Sequence, residues 1–364
     1  MLTLPWMRHR LSPIGLDIGA RGARAAQLVR EGDSYRVQRI AVVERPPVDG
    51  AESRDTGEWS RWMRACVQGR GFRGRSVVTY AANDDCDYHF VELPTAVLNR
   101  PSLEAEQAVR FEVARLLSDP IEDLELRYWP LVPSRVPGPG ALAVASRRSF
   151  VIDKVSRCHE AGLMCVGVDV HASALSRLGC ALTPVRNKSV WGVLDVGCEQ
   201  SRLILCVDTV PTLVREVGSG GLGWTRSIAE SLQISVKAAE VQKREHGIAT
   251  GASRGAPSDA ARDEIARMVF GAIRSELNEI ASEVKRSYEY VLSLHPEREP
   301  GALIMIGGGA LLHGLPEFLS DALGIAARRA SDCVGQQGCR LQGDSGVAEK
   351  IEVAALALGL AIEE

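Results

Sequence analysis

The sequence predicts an α/β protein built from two similar halves around a cleft, with an α+β subdomain inserted in the first half. Three observations carry that expectation: a three-strand pattern that occurs twice, an aspartate closing the first strand of each copy, and a long stretch of different pattern between the copies.

The first copy reads "IGLDIG", "RAAQLV", a turn at Gly32-Asp33, and "YRVQRIAVV". Short apolar runs separated by tight turns predict an antiparallel meander. "GEWSRWMRACVQG" follows, with Trp59, Trp62, Met63 and Cys66 at helical spacing. From Ser76 to Val166 the pattern changes to two strands ("SVVTYAA", "YHFVEL"), a helix ("LEAEQAVRFEVARLL"), two strands around "PGPG", and a helix near "FVIDKVSRCHEAG". This is a compact α+β unit whose ends lie close together, as an insertion requires. "CVGVDVHASALSRLGCAL" then reads as a strand running into a helix.

The second copy is "WGVLDVG", "SRLILCV", a turn at Asp208-Thr209, and "PTLVREV", leading into "GWTRSIAESL" with Trp224, Ile228 and Leu232 on one face. Asp17 and Asp195 hold equivalent places. Two facing carboxylates call for positive charge, which a divalent metal on a polyphosphate would supply. Beyond lie a helix ("SVKAAEVQKREHG"), a polar loop ("IATGASRGAPSD"), one long amphipathic helix or a pair ("DEIARMVFGAIRSELNEIASEVKRSYEYVL"), a strand and helix joined by three glycines ("ALIMIGGGALLHGLPEFLSDALGI"), and a final apolar segment, "VAALALGLAI".

A net charge of −3 and a pI near 6.2 leave no basic footprint for nucleic acid. Only six of the 43 basic residues are lysines, none before Lys154, so no lysine in the first half can grip a phosphate. The nine cysteines form no C-x-x-C pair and mostly sit in apolar runs, which fits buried thiols in a reducing compartment. The opening apolar run is too short for a signal peptide and no stretch nears the ~20 apolar residues of a membrane helix, so a cytoplasmic protein is expected.

"GSGGLG" at 218–223 matches G-x-G-x-x-G, but it follows an antiparallel meander and precedes helices, whereas a dinucleotide site needs a parallel βαβ unit. No P-loop, H-E-x-x-H or G-x-S-x-G occurs. The glycines at 307–309 join a buried strand to a helix start, where backbone N–H groups can approach a ligand.

"GLDIG", "LDVG", "AEVQKREHG" and "GGGALLHGLPEFLSDALG", in that order, resemble the actin-like ATPase superfamily. Within it, "VELPTAVLNRPSLEAEQAVRFEVARLLSDPIEDLELRYWPL", "HEAGLMCVGVDVHASALSRL" and "EVKRSYEYVLS" resemble the PilM family of type IV pilus assembly proteins, related to FtsA. The likeness spans roughly residues 13 to 362. It implies an actin-like fold, two RNase H-like halves flanking a nucleotide cleft, with an inserted α+β subdomain. The implied boundaries are subdomain 1A at 13–75 and 167–188, the inserted 1C-like unit at 76–166, subdomain 2A at 189–235 and 299–345, helical 2B at 236–298, and a C-terminal helix at 346–364 returning to 1A.

The resemblance further implies ATP with Mg2+ in the cleft, Asp17 and Asp195 facing the metal directly or through water. Amides around Gly19 to Gly22 and Gly197 to Ser201 would cradle phosphates, and Gly220 and Gly221 would line the cleft. Glu240 and Lys243 would reach ribose and base, and Gly307, Gly308 and Gly309 would pack under the adenine. As partner it implies the cytoplasmic tail of an inner-membrane PilN-like protein, held in a groove between the inserted subdomain and its neighbour. The chain would reach the membrane only through that partner; self-association stays open.

The chain departs from the family's usual pattern at the first phosphate turn, where Ala20, Arg21, Gly22, Ala23 and Arg24 stand for serines followed by a lysine. Arg24 is the candidate substitute for that lysine. "GCEQSR" puts Glu199 near the second turn, for Arg24 or Arg202 to offset, and His171 stands where glutamate is frequent. The expectation is a retained fold and pilus-scaffold role with weakened ATP binding or no hydrolysis. Two rivals remain: an actin-superfamily small-molecule kinase, for which Asp169 is the only acid in "VDVHASAL", and an FtsA-like filament-forming membrane-associated protein. The helix "AVRFEVARLL" lies beside the expected groove, its Val109, Val113 and Leu116 stripe reading as core.

Overall fold

The computed structural model describes residues 9–19, 21–44, 56–82, 85–98, 102–117, 120–134, 136–184, 188–249 and 260–363. Ala20 of the first turn and residues 250–259 of the polar loop lie outside them. The chain opens with β1 (His9–Leu11), β2 (Ile14–Gly19), β3 (Gly22–Glu31) and β4 (Ser34–Glu44). β2, β3 and β4 form the expected meander, and β1 pairs antiparallel with β3. α1 (Thr56–Val67) covers this sheet with Met63, Cys66 and Val67. β5 (Ser76–Ala81) then enters parallel to β2.

β6 (Asp87–Val91), α2 (Thr95–Leu98), α3 (Leu103–Ala114), β7 (Leu124–Pro130) and β8 (Ala141–Arg147) follow; their sheet is antiparallel, in the order β6-β8-β7. α3 buries Val109 and Val113 against it. Leu116, read from the sequence as part of the same core stripe, lies past the end of the helix and is exposed, because the helix stops at Ala114 before the stripe's next turn. On β7, Trp129 Nε1 donates to Pro211 O in the second half at 2.6 Å. α4 (Arg148–Glu160) returns to the first half, where β9 (Met164–Val170) runs parallel to β5 as the outermost strand. α5 (His171–Leu182) begins at the next residue.

This corrects one detail of the sequence reading: residues 76–81 and the start of β9, assigned there to the inserted unit, are strands of the first large sheet. An apolar run announces a strand but not its partner, and β5 pairs across some sixty residues of chain.

The second copy is β10 (Ser189–Val196), β11 (Gln200–Val207) and β12 (Val210–Ser219), again an antiparallel meander. Its turn carries Asp208 at φ 53, a left-handed residue supported by its own carboxylate: Oδ1 accepts from Lys188 N at 2.6 Å and Oδ2 from Arg298 Nη2 at 2.9 Å. α6 (Gly221–Leu232), α7 (Val236–His246) and α8 (Ala260–Leu294) follow, α8 as one helix rather than two. β13 (Glu299–Ile306) runs parallel to β10, and after α9 (Leu315–Leu323) β14 (Ala327–Arg329) runs parallel to β13. The chain closes with α10 (Ala330–Cys333), β15 (Leu341–Gln342) along β4, α11 (Ser345–Ala348) and α12 (Ile351–Ala361).

The two large sheets share one topology: β4-β3-β2-β5-β9 repeats as β12-β11-β10-β13-β14. α5 and α12 supply a core common to both, which includes Ala26 and Leu28 of β3, Trp191 and Val193 of β10, and Ile304 and Ile306 of β13. The packing is close enough to demand glycine: a Cβ on Gly15 of β2 would lie 1.9 Å from Ala357 O of α12. The final apolar segment is thus a packed helix, as its composition suggests. Among the described residues no helix is long and apolar enough to cross a membrane.

Candidate functional site

β2 and β10 end in the cleft, and each delivers its aspartate there. Asp17 is buried, and burial pushes its carboxyl above the usual value; Arg24 pulls it back, Asp195 adds to the rise, and a hydrogen bond from Tyr80 lowers it. Arg24 is the cross-strand partner of Asp17 in the β2–β3 register, so the hairpin itself brings the cation to the acid. Arg24 Nη1 lies 3.7 Å from Asp17 Oδ2 and 3.4 Å from Gly22 O. It folds back over the turn, within 3.0 Å of where a Cβ on Gly19 would stand.

Asp195 is held by a histidine instead. His171, the first residue of α5, is 4% exposed and places Nε2 2.9 Å from Asp195 Oδ2; its Nδ1 is buried with no partner. The Tyr80 ring lies 6.4 Å from the His171 ring, so Tyr80 touches both acid groups' surroundings. Gly307 packs against Asp195 from the far side: at φ 83, a Cβ there would lie 2.4 Å from Val196 O and 2.5 Å from Asp195 Oδ1. Gly309 is equally constrained by Val196, while Gly308 faces open space.

The second turn locks onto α6. Gly220 N donates to Glu199 O at 2.8 Å, Gly221 N to Gly197 O at 2.9 Å and Leu222 N to Cys198 O at 2.8 Å. The first amides of the helix, which would otherwise await an anion, are therefore engaged by the chain. Across the cleft, Arg21 Nε donates to Cys198 Sγ at 3.2 Å and joins the two turn tips.

Glu240 and Lys243 meet on α7, as their spacing predicts. Lys243, 8% exposed, donates to Gly221 O at 2.7 Å, to Thr225 Oγ1 at 2.7 Å and to Glu240 Oε2 at 2.8 Å. Thr225 Oγ1 in turn lies 2.6 Å from Glu240 Oε2. Burial pulls the Lys243 ammonium down and Glu240 offsets this. Burial alone would raise Glu240, but hydrogen bonds from Lys243 and Thr225 hold it below its usual value. The cluster clamps α7 onto α6.

The structure thus brings together Asp17, Gly19, Arg24, Asp195, Gly307 and Gly309 at one place, and Gly197, Gly220, Gly221, Glu240 and Lys243 beside it. Arg202 pairs with Gln200 Oε1 at 2.6 Å and Glu216 Oε1 at 3.8 Å, which turns it toward β12. Asp169 is paired with Arg177 and caps Val170 N at 2.7 Å. Sequence reasoning missed Tyr80 and Thr225, whose hydroxyls stand among other polar side chains of their strand and helix and carry no local signal. As a magnesium site the donor set fits poorly. Each aspartate already faces a cationic or N–H partner, and among the described residues no three His, Cys, Asp or Glu side chains converge on a common point.

A second concavity lies between the inserted unit and β9. It has a volume of about 340 Å³ and is lined by Glu125 and Arg127 of β7, Val144 of β8, Val155 of α4, and Val166 and Asp169 of β9. Met164 is 57% and Val166 51% exposed, unusual for a strand of a central sheet.

The type IV pilus assembly protein PilM family model matches residues 15–258, and the cell division protein FtsA model matches residues 192–356. Among solved structures, a PilM–PilN type IV pilus biogenesis complex is similar at 26% identity and a TM-score of 0.73, over 96% of this chain and 97% of that chain. The ethanolamine utilization protein EutJ from Carboxydothermus hydrogenoformans is similar at 16% identity and a TM-score of 0.49, over 97% and 89%. MreB5 of Spiroplasma citri bound to AMPPNP is similar at 12% identity and a TM-score of 0.47, over 88% and 91%.

Proposed function

The chain belongs to the type IV pilus assembly protein PilM family and has its actin-like fold, and from that premise we propose that it is a cytoplasmic scaffold of a pilus or related secretion machine. It takes the cytoplasmic tail of an inner-membrane PilN-like protein into the groove between β9 and the inserted unit. The observation that carries this reading is the outer edge of β9. An outermost strand presents unpaired backbone groups to an extended peptide. Beside it, Val155, Met164 and Val166 offer exposed apolar contacts, and Glu125, Arg127 and Asp169 rim the cavity. The matching tail is extended and apolar at alternate positions; Glu125, paired with Arg148 at 3.0 Å, closes one end of the groove. Membrane contact comes through this partner.

The cleft between the halves is the place for a nucleotide, with Gly307 to Gly309 beneath the adenine and Glu240 toward the ribose. Lys243, whose three donors serve Gly221 O, Thr225 Oγ1 and Glu240, positions Glu240 rather than meeting the ligand. ATP is bound weakly there and not hydrolysed. The first amides of α6 are engaged by the second turn, and the acids that would face a metal already have partners. The engagement of Asp169 by Arg177 speaks against a kinase base at that position, and α12 is itself a buried core helix rather than a membrane-binding one.

Calorimetric titration of the full chain with a synthetic PilN tail tests the scaffold reading. Val166→Asp is expected to weaken binding at least about tenfold with Tm unchanged, because an exposed side chain contributes little to folding. Equal affinity in the variant and the wild type would refute the groove.

A further inference from the structure

We propose that Arg24 and His171 occupy the divalent cation's place in the cleft, so that the chain supplies positive charge and N–H groups to Asp17 and Asp195 from its own side chains and takes no magnesium there. The inference rests on reading the cleft as the nucleotide site and deepens it: the anion the cleft accepts is a metal-free nucleotide.

Arg24 is delivered to Asp17 by the strand register, a placement that needs no ligand to hold it. Its side chain is 16% exposed and that of Asp17 11%, so the pair sits largely out of water at 3.7 Å. Expelling Arg24 to admit a metal would return a cation to solvent, but it would also remove the guanidinium from Gly22 O and from the space that Gly19 leaves for it. On the other side, His171 starts α5 with its ring buried and Nε2 on Asp195. The unpartnered Nδ1 is a buried polar atom among the cleft residues.

Magnesium needs near-octahedral oxygen ligands at roughly 2.0–2.1 Å and keeps several waters. Here Asp195 Oδ2 is committed to a ring nitrogen, Asp17 faces Arg24 and receives a hydrogen bond from Tyr80, and Gly307 closes over Asp195 Oδ1. A two-carboxylate site with the opposite requirement would leave both acids facing an open, hydrated space. The residues seen here answer the repulsion between buried Asp17 and half-buried Asp195 permanently, where a bound metal answers it only while loaded.

The test uses the full chain and two cations that need no nucleotide. Manganese is titrated into wild-type protein and followed by the loss of its free-ion paramagnetic signal, and thermal unfolding is recorded with and without millimolar magnesium. The wild type is expected to leave the manganese signal free and its Tm unmoved. The Arg24→Ala/His171→Ala variant is expected to melt lower, to bind manganese, and to recover Tm with magnesium. Manganese binding by the wild type that is lost in Asp17→Asn overturns the proposal, as does a folded double variant that gains nothing from either ion. If the double variant does not fold, the wild-type manganese titration with its Asp17→Asn control decides alone. A fluorescent ATP analogue in chelator separates the two readings. Uptake in chelator is expected; no uptake with or without magnesium, from protein that also ignores manganese, defeats the nucleotide reading and leaves the cation assignment in place.

Discussion

Replacing Lys243 by methionine keeps most of the side chain's volume and removes one ammonium from a closed set of hydrogen bonds. In the wild type that ammonium serves Gly221 O, Thr225 Oγ1 and Glu240 Oε2 at 2.7, 2.7 and 2.8 Å. Thr225 has one hydroxyl proton and two acceptors in reach, Gly221 O at 2.8 Å and Glu240 Oε2 at 2.6 Å. Without Lys243 it can satisfy only one of them. Breaking a buried ion pair by removing one partner costs about 3–5 kcal/mol, and the half-exposure of Glu240 puts the value near the lower end, about 3 kcal/mol. At roughly 2–4 °C per kcal/mol for a domain of this size, Tm should fall by about 6–12 °C in calorimetry. Adding Glu240→Leu removes the stranded carboxylate, so the double variant should be less destabilised than Lys243→Met alone, a coupling of about 1–3 kcal/mol. A single variant losing under about 0.5 kcal/mol, or strict additivity in the cycle, would show that the pair is an ornament of the surface rather than the clamp between α6 and α7.

The three glycines before α9 should respond unequally: Gly307→Ala forces a Cβ to 2.4 Å from Val196 O at φ 83 and should cost about 3 kcal/mol, whereas Gly308→Ala meets open space and should stay within about 0.5 kcal/mol in urea melts. Glu240 titrates lower in the folded chain than its ordinary 4.5, so the unfolded chain binds the extra proton. Its contribution is complete above that ordinary value and is lost as pH falls through the depressed folded one; Glu240→Gln should flatten the acid limb of stability against pH. Cys165, hydrogen-bonded by the Cys158 thiol, is lowered to about 7 and should alkylate first among the nine cysteines at neutral pH. Because Cys165 lines the β9 groove, a bound tail peptide should slow that alkylation, and mass mapping of the labelled peptides reads both effects.

Where strands pair with their sequence neighbours, the sequence was readable. "IGLDIG" and "RAAQLV" need only a short turn to find each other, and the same holds for "WGVLDVG" and "SRLILCV"; hence the duplicated meanders, the equivalent aspartates and the insertion could all be placed. β5 could not, because its partners β2 and β9 lie far off in the chain and period-2 alternation says nothing about which strand a face will meet. The same limit governs the cleft. Glu240 and Lys243 are one turn apart on a helix, so their meeting is local. His171 and Asp195 meet only because α5 packs between two sheets, and Arg24 reads as a stand-in for the phosphate-turn lysine until the hairpin register sets it opposite Asp17. The engagement of the α6 amides by the second turn is a backbone event with no side-chain signature.

β9 passes into α5 with no intervening loop, Val170 ending the strand and His171 beginning the helix. In mechanical terms the groove and the cleft are two stations on one stiff rod. A tail seated on β9 as proposed, and tugged by a membrane anchor, would load that strand, and there is no slack segment to absorb the displacement before it reaches the His171–Asp195 contact. Arg177 braces the same rod, tying Asp169 on the strand to Gly359 O on α12 at 3.3 Å. Under that proposal, tension applied at the partner's end would be felt as shear at the floor of the cleft, and the stiffness of a single junction would set how much of it arrives.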